Sequence, residues 1–140
     1  MYATPPTFDL SKLLIEDMLK IEKNSHPFDL PEVNNMMKNA TNQGNLLLNG
    51  LREMQKTFEC MGDVRGKGLM VAVELVKDRQ TKKPATDWRG RIIKKSFEKG
   101  LLLLGCGENS IRFSPSLTVT ASEVDTCLSI FEESVKEVAG

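Results

Sequence analysis

Apolar positions along the chain fall into a small number of periodic stretches separated by clear breaks. Pro5 and Pro6 keep residues 1–8 from starting a helix, and this arm is expected to be irregular. Leu10, Leu13, Leu14, Met18 and Ile21 then recur at helical spacing, predicting a helix over 9–23 that Asn24, Ser25, His26 and Pro27 break. A second helix, over 31–58, has a marked start: Asp29 as cap, Pro31 in the first turn and Glu32 at the reciprocal capping-box position. Its stripe runs Val33, Met36, Met37, Ala40, Leu47, Leu48, Leu51, Met54 and Phe58, a pattern that belongs to a core-facing helix. Gly44 and Gly50 interrupt it and should each weaken it by about 1 kcal/mol relative to alanine.

The second half changes period. Leu69–Val76 is a nearly continuous, β-branched apolar run and reads as a buried strand. Residues 77–84 form a charged loop. Thr86 or Asp87 is placed to cap a helix whose inward positions are Trp88, Ile92, Ile93 and Phe97, with Gly100 as the left-handed residue that ends it. Leu101–Leu104 and Ile111–Phe113 read as two short strands joined by the hairpin loop GCGEN. Thr120 and Glu123 make a capping box for a last helix with Val124, Cys127, Leu128, Phe131, Val135 and Val138 on one face. The order α-α-β-α-β-β-α implies an α+β fold. It is expected to be a two-layer sandwich, a small, mostly antiparallel sheet packed by amphipathic helices.

The 140 residues suffice for one domain with its own core. Formal net charge is zero but unevenly spread. Residues 77–99 carry nine Lys or Arg against three Asp or Glu, whereas residues 100–140 carry two against six. The basic stretch is read as a solvated helix face, and no aromatic platform accompanies it, so nucleic-acid binding is not expected. Cys60, Cys106 and Cys127 are odd in number and contain no CxxC pair, which argues against a disulfide framework and suits a reducing compartment. With His26 the sole histidine, no metal site is expected. No apolar run reaches the roughly 18 residues that span a membrane, and the start MYATPPTFDL lacks the pattern of a signal peptide. A cytoplasmic location without membrane contact is the expectation.

Two segments merit chemical attention. MGDVRGKGLM holds Gly62, Gly66 and Gly68 but does not make a phosphate loop. Only three residues separate Gly62 from Gly66-Lys67, and Gly68 stands where that motif needs Ser or Thr. A tight turn ahead of the strand, with glycines allowing a close backbone approach, accounts for it. In SIRFSPSL, alternation sends Ile111 and Phe113 to one face and Arg112 to the other. A guanidinium so placed either reaches solvent or offers a planar fork to a carboxylate. Cys106, between glycines in the loop, has no neighbour in sequence that would activate it.

In order, GDVRGKGLMVAVELVKDRQTKKPA, FEKGLLLLGCGENSIRFSPSLTVTASEVD and the closing amphipathic helix resemble the C-terminal small domain of class III pyridoxal-phosphate aminotransferases, nearest to the 4-aminobutyrate and related ω-aminotransferases. NQGNLLLNGLREMQKTF resembles the helix that leads in, so the likeness covers roughly residues 32–138. The resemblance implies a domain over 31–140, with residues 1–30 as an amino-terminal arm not matched to it. It implies that Arg112 binds the substrate carboxylate and that the turn of Arg65, Gly66 and Gly68 lies near a domain junction. It further implies amino-group transfer between an amino donor and a keto acid through pyridoxal phosphate. None of the lysines here matches the family's Schiff-base lysine, so the cofactor is expected in the full-length family and not on this chain alone. By itself the chain is expected to be catalytically incomplete. The partner would be a large aminotransferase domain or a second copy in a homodimer. A stand-alone ligand-binding or protein-interaction module derived from that domain is the alternative reading.

Overall fold

The computed structural model describes residues 30–140. The helix expected over 9–23 and the Asp29 cap lie outside the described residues. The elements are α1 (Leu30–Thr57), β1 (Met61–Lys67), β2 (Met70–Asp78), β3 (Lys83–Pro84), α2 (Thr86–Glu98), β4 (Leu104–Cys106), β5 (Ser110–Phe113) and α3 (Ala121–Ala139). The sheet runs β1-β2-β5-β4 with β3 paired to β2, and every pairing is antiparallel. The three helices and this sheet form the expected α+β sandwich.

Cross-strand register sorts the side chains into two faces. Met61 opposes Leu75, Val64 opposes Val73, Val71 opposes Phe113 and Val73 opposes Ile111, and all of these are buried. They meet Leu47 and Leu51 of α1, Ile92 of α2, and Val124, Phe131 and Val135 of α3 in one core. Phe113 and Phe131 stand edge to face with ring centroids 5.1 Å apart. The other face carries Asp63, Arg65, Lys67, Met70, Ala72, Glu74, Leu104 and Arg112, exposed or half-buried. The helices thus cover one side of the sheet and leave the second side open.

The glycine-rich segment is an edge strand, not only a turn. MGDVRGK forms β1, and the turn itself is the two-residue loop Gly68–Leu69, with Gly68 at φ +54°. Gly44 explains this arrangement from the helix side. A Cβ there would fall 2.1 Å from the Gly68 carbonyl oxygen, so α1 and the β1–β2 turn touch backbone to backbone. Gly50 likewise lets Leu128 of α3 rest on α1, with a leucine methyl 2.4 Å from where a Cβ would be. Both glycines give up helix propensity for close packing.

Several boundaries move from their expected places. The residues read as a charged loop, 77–84, extend β2 to Asp78 and supply β3. Ala85, not Thr86 or Asp87, occupies the N-cap of α2; its methyl side chain has no acceptor to offer as a cap, and its N–H donates to the Leu75 carbonyl at 3.1 Å. Phe97 is 66% exposed; Ser96 takes the buried place beside Ile92, and with Ser134, also fully buried, it allows α2 and α3 to pack closely. Gly100 does end α2: Gly100 N–H donates to Phe97 O and Leu101 N–H to Ser96 O, the paired bonds of a Schellman cap. The first strand of the last hairpin is Leu104–Cys106 rather than Leu101–Leu104. The capping box of α3 is complete, with the Glu123 carboxylate 2.8 Å from the Thr120 nitrogen.

The structure also accounts for the uneven charge. Lys99, the C-cap of α2, meets Glu137 at 2.9 Å and Glu133 at 3.1 Å on α3, and Lys95 reaches Glu98 and Glu137. The hydrogen bonds that Lys99 donates to Glu137 and then to Glu133 raise its pKa above the ordinary value. Lys77 lies 3.8 Å over the Trp88 ring and 2.7 Å from Asp87. Two of the nine basic side chains of this stretch, Lys95 and Lys99, are therefore tied to the acidic end of the chain.

Candidate functional site

The open sheet face places the residues singled out from sequence in one frame. Reading across the strands, Arg65 of β1 opposes Ala72 of β2, Ala72 opposes Arg112 of β5, and Arg112 opposes Leu104 of β4. Strands in a sheet lie about 4.8 Å apart, so Arg65 and Arg112 are separated by roughly 10 Å along this row. Ile111 is fully buried and Phe113 is 2% exposed, while Arg112 is exposed, as alternation requires.

The two arginines differ in what surrounds them. Arg65 donates to Asp63 at 2.5 Å and to Glu74 at 3.1 Å, so its charge is met within the sheet face. The Arg112 side chain makes no hydrogen bond or ion pair among the described residues, and its flanking neighbours, Ala72 and Leu104, are apolar. A guanidinium between two apolar neighbours, anchored by backbone bonds to a strand on each side, keeps its planar fork available for a carboxylate. Gly66 sits opposite Val71 in the hairpin; a Cβ there would meet the Met70 carbonyl oxygen at 2.5 Å. Gly66 and Gly68 therefore shape the β1–β2 hairpin and its contact with α1.

Three polar anchors were not foreseen. Arg79 donates to the carbonyls of Gln55, Phe58 and Met61, closing the C-terminal end of α1. Asn109, nearly buried in the β4–β5 loop, donates to Leu75 O at 2.6 Å while its own carbonyl accepts from Leu75 N. Asn39 of α1 donates to the carbonyls of Leu117 and Val119 in the connection that follows Arg112. In each case the partner is 18 to 80 residues away, and nothing in the local pattern announces it.

Behind the sheet, Leu47, Leu101, Leu103, Phe113, Val124 and Cys127 help to line an apolar cavity of about 210 Å³. Burial pushes the Cys127 thiol up to about 11, which makes it unreactive rather than nucleophilic. No group of His, Cys, Asp and Glu among the described residues is arranged to hold a metal ion, and no described helix is long and apolar enough to cross a membrane.

Residues 17–135 match the family model "Aminotransferase class-III". The chain belongs to the class-III aminotransferase family. It is 38% identical over 111 residues to an alanine/serine racemase of Pyrococcus horikoshii, covering 78% of this chain and 23% of that protein. It is 43% identical over 98 residues to a 5-aminovalerate aminotransferase of Pseudomonas putida, covering 69% of this chain and 23% of that one. An amine transaminase from an uncultivated Pseudomonas species, solved with pyridoxal phosphate bound, superposes with a TM-score of 0.71 at 34% identity, over 76% of this chain and 24% of that one. The chain thus spans about a quarter of the length of the relatives it matches.

Pyridoxal phosphate, the cofactor of this family, asks for an enclosed lysine amine and a donor cradle for its phosphate. Every described lysine is exposed or half-buried. Lys82 and Arg79 line a polar depression together with Asp63 and Glu74; the Arg79 guanidinium is taken up by backbone carbonyls, and the two carboxylates oppose an anion. The described residues therefore do not fit the cofactor.

Proposed function

We propose that residues 31–140 form the small domain of a pyridoxal-phosphate aminotransferase and that Arg112 holds the carboxylate of the amino-acid or keto-acid substrate. The observation that carries this reading is the state of Arg112: an exposed guanidinium, unengaged among the described residues and set between Ala72 and Leu104 on the open face. The match to the class-III family supports the fold context, and the Pseudomonas putida relative supports amino-group transfer as the activity. In this reading the cofactor and its lysine belong to a large domain that meets the open sheet face, with the hairpin of Arg65, Gly66 and Gly68 near the junction. The assembled enzyme is a cytoplasmic homodimer. The cofactor supplies the electron sink for amino-group chemistry when bound, while this domain supplies carboxylate recognition and orientation.

The test is steady-state kinetics of the domain joined to the large domain of the Pseudomonas putida relative. Arg112→Lys should raise KM for the carboxylate substrate at least tenfold, because an ammonium cannot reproduce the bidentate contact. An unchanged KM in a folded, cofactor-loaded enzyme would overturn the assignment. Racemisation is the second reading, favoured by the Pyrococcus horikoshii relative. The same assay separates the two, since only transfer consumes a keto acid.

A further inference from the structure

We infer that Arg65 is a positioning residue for the carboxylate site, an inference that rests on the carboxylate reading of Arg112: Arg65 holds the Glu74 carboxylate away from Arg112 and keeps that guanidinium open to a ligand. In β2, Ala72 pairs with Arg65 on one side and with Arg112 on the other. Glu74 stands two residues along the same strand and points to the same open face. It is therefore a diagonal neighbour of both arginines. Diagonal positions on antiparallel strands lie about 7–8 Å apart, a span that long side chains cross. One carboxylate is thus within reach of two guanidinium groups.

The structure gives it to Arg65. Arg65 Nη1 donates to Glu74 Oε2 at 3.1 Å and to Asp63 Oδ2 at 2.5 Å, so one guanidinium takes up both carboxylates. Glu74 and Arg65 are both half-buried, which limits screening of their contact by solvent. Asp63 lies on β1, two strands from Arg112, whereas Glu74 is on the strand next to it. Without Arg65, Glu74 has two cations left to turn to: Arg112, and Lys82, which lines the same polar depression. Arg112 is the better partner. Its planar fork matches a carboxylate, and backbone pairing to β2 and β4 fixes where it starts, while Lys82 is an exposed residue between β2 and β3. A Glu74–Arg112 pair would occupy the donors that the substrate carboxylate needs. Affinity would then fall although no residue touching the ligand had changed.

The experiment uses the full chain labelled with ¹⁵N, at constant ionic strength and about pH 6, where carboxylates are ionised. Spectra are read first without ligand and then during titration with 2-oxoglutarate. Wild type is compared with Arg65→Met, Arg65→Gln, Arg65→Lys and the double variant Arg65→Met/Glu74→Gln. Arg112→Ala identifies the Arg112 Nε–H signal and the site-specific shifts. Without ligand, the two neutral variants should displace the Arg112 Nε–H signal, the double variant should return it, and Arg65→Lys should leave it in place. In the titration, the neutral variants should lower the initial slope of the Arg112-dependent shifts about threefold, and the double variant should restore it. Asp63→Asn in the Arg65→Met background controls for charge acting through space, and the Nε–H signal should stay displaced there. Rescue by Asp63→Asn equal to that by Glu74→Gln overturns the inference. So does a lowered melting temperature with the Nε–H signal unmoved, which is what a purely structural role predicts; both results leave Arg112 in its role. Absence of Arg112-dependent shifts with 2-oxoglutarate in the wild type overturns the carboxylate reading and this inference with it.

Discussion

Gly44→Ala sets helix propensity against tertiary packing, and the structure says which wins. Propensity alone favours the substitution by about 1 kcal/mol, because an interior glycine costs that much relative to alanine. The added Cβ, however, would lie 2.1 Å from the Gly68 oxygen, 2.3 Å from its carbonyl carbon and 2.8 Å from its Cα. All three are backbone atoms of a tight turn, so relief requires α1 and the β1–β2 hairpin to separate by more than an ångström. Overpacking of this kind costs about 1–3 kcal/mol, and here it also opens the contact around a residue that is itself constrained at φ +54°. We expect the packing cost to prevail, with a net loss of up to about 2 kcal/mol. Gly90 supplies the internal control: it lies in α2, is exposed, and a Cβ there meets nothing within 4 Å. Gly90→Ala should therefore stabilise by about 0.5–1 kcal/mol. Urea unfolding followed by circular dichroism measures both, with m-values checking that the transition is unchanged in kind. Equal stabilisation by the two substitutions would refute the backbone contact between α1 and the turn.

Other outcomes follow from single side chains. Asn109→Ala removes one of the two donors to the Leu75 carbonyl, which keeps the Ala85 N–H, and should cost about 0.5–1.5 kcal/mol in the same unfolding assay. Glu123 has its pKa lowered from 4.5, first by the Thr120 backbone N–H and then by its hydroxyl. Its contribution is present above the unfolded value and is lost as pH falls through the lower folded value. The stability gap between wild type and Glu123→Gln should therefore close below about pH 4.5 when melting is followed from pH 6 to pH 3. Leu104→Glu places a carboxylate directly across from Arg112. It should leave the melting temperature within a few degrees of wild type while abolishing Arg112-dependent carboxylate shifts, because the cross-strand pair occupies the guanidinium.

The legible parts of this fold are those whose signal is local. The long α1 stripe, the Thr120–Glu123 capping box and the Leu69–Val76 run each carry their pattern within a few turns or residues, and the sheet alternation around Arg112 needs only its two neighbours. β1 was illegible as a strand because only Met61 and Val64 mark its inward face and its remaining positions are glycine or charged, as befits an edge. Phe97 was misplaced because the α2–α3 contact selects small residues, Ser96 and Ser134, over large apolar ones. The cap of α2 failed as an expectation because Ala85 is already committed to β2 by its backbone. At the candidate site, the orientation of Arg112 could be read directly. Its isolation could not, since that depends on Asp63 and Glu74 being taken up by Arg65 two strands away. Asn39, Arg79 and Asn109 share this property: their partners are brought together only by the finished fold.

The central claim is that Arg112 recognises a carboxylate, and titration of the ¹⁵N-labelled chain with 2-oxoglutarate at constant ionic strength tests it most directly. A charge-assisted contact worth about 1.5–3 kcal/mol corresponds to a Kd of about 10–100 mM for the chain alone. The account predicts saturable shifts centred on Ala72, Leu104 and Arg112 that vanish in Arg112→Ala while the rest of the spectrum is retained. Shifts that are absent, or that persist unchanged in Arg112→Ala, would contradict it.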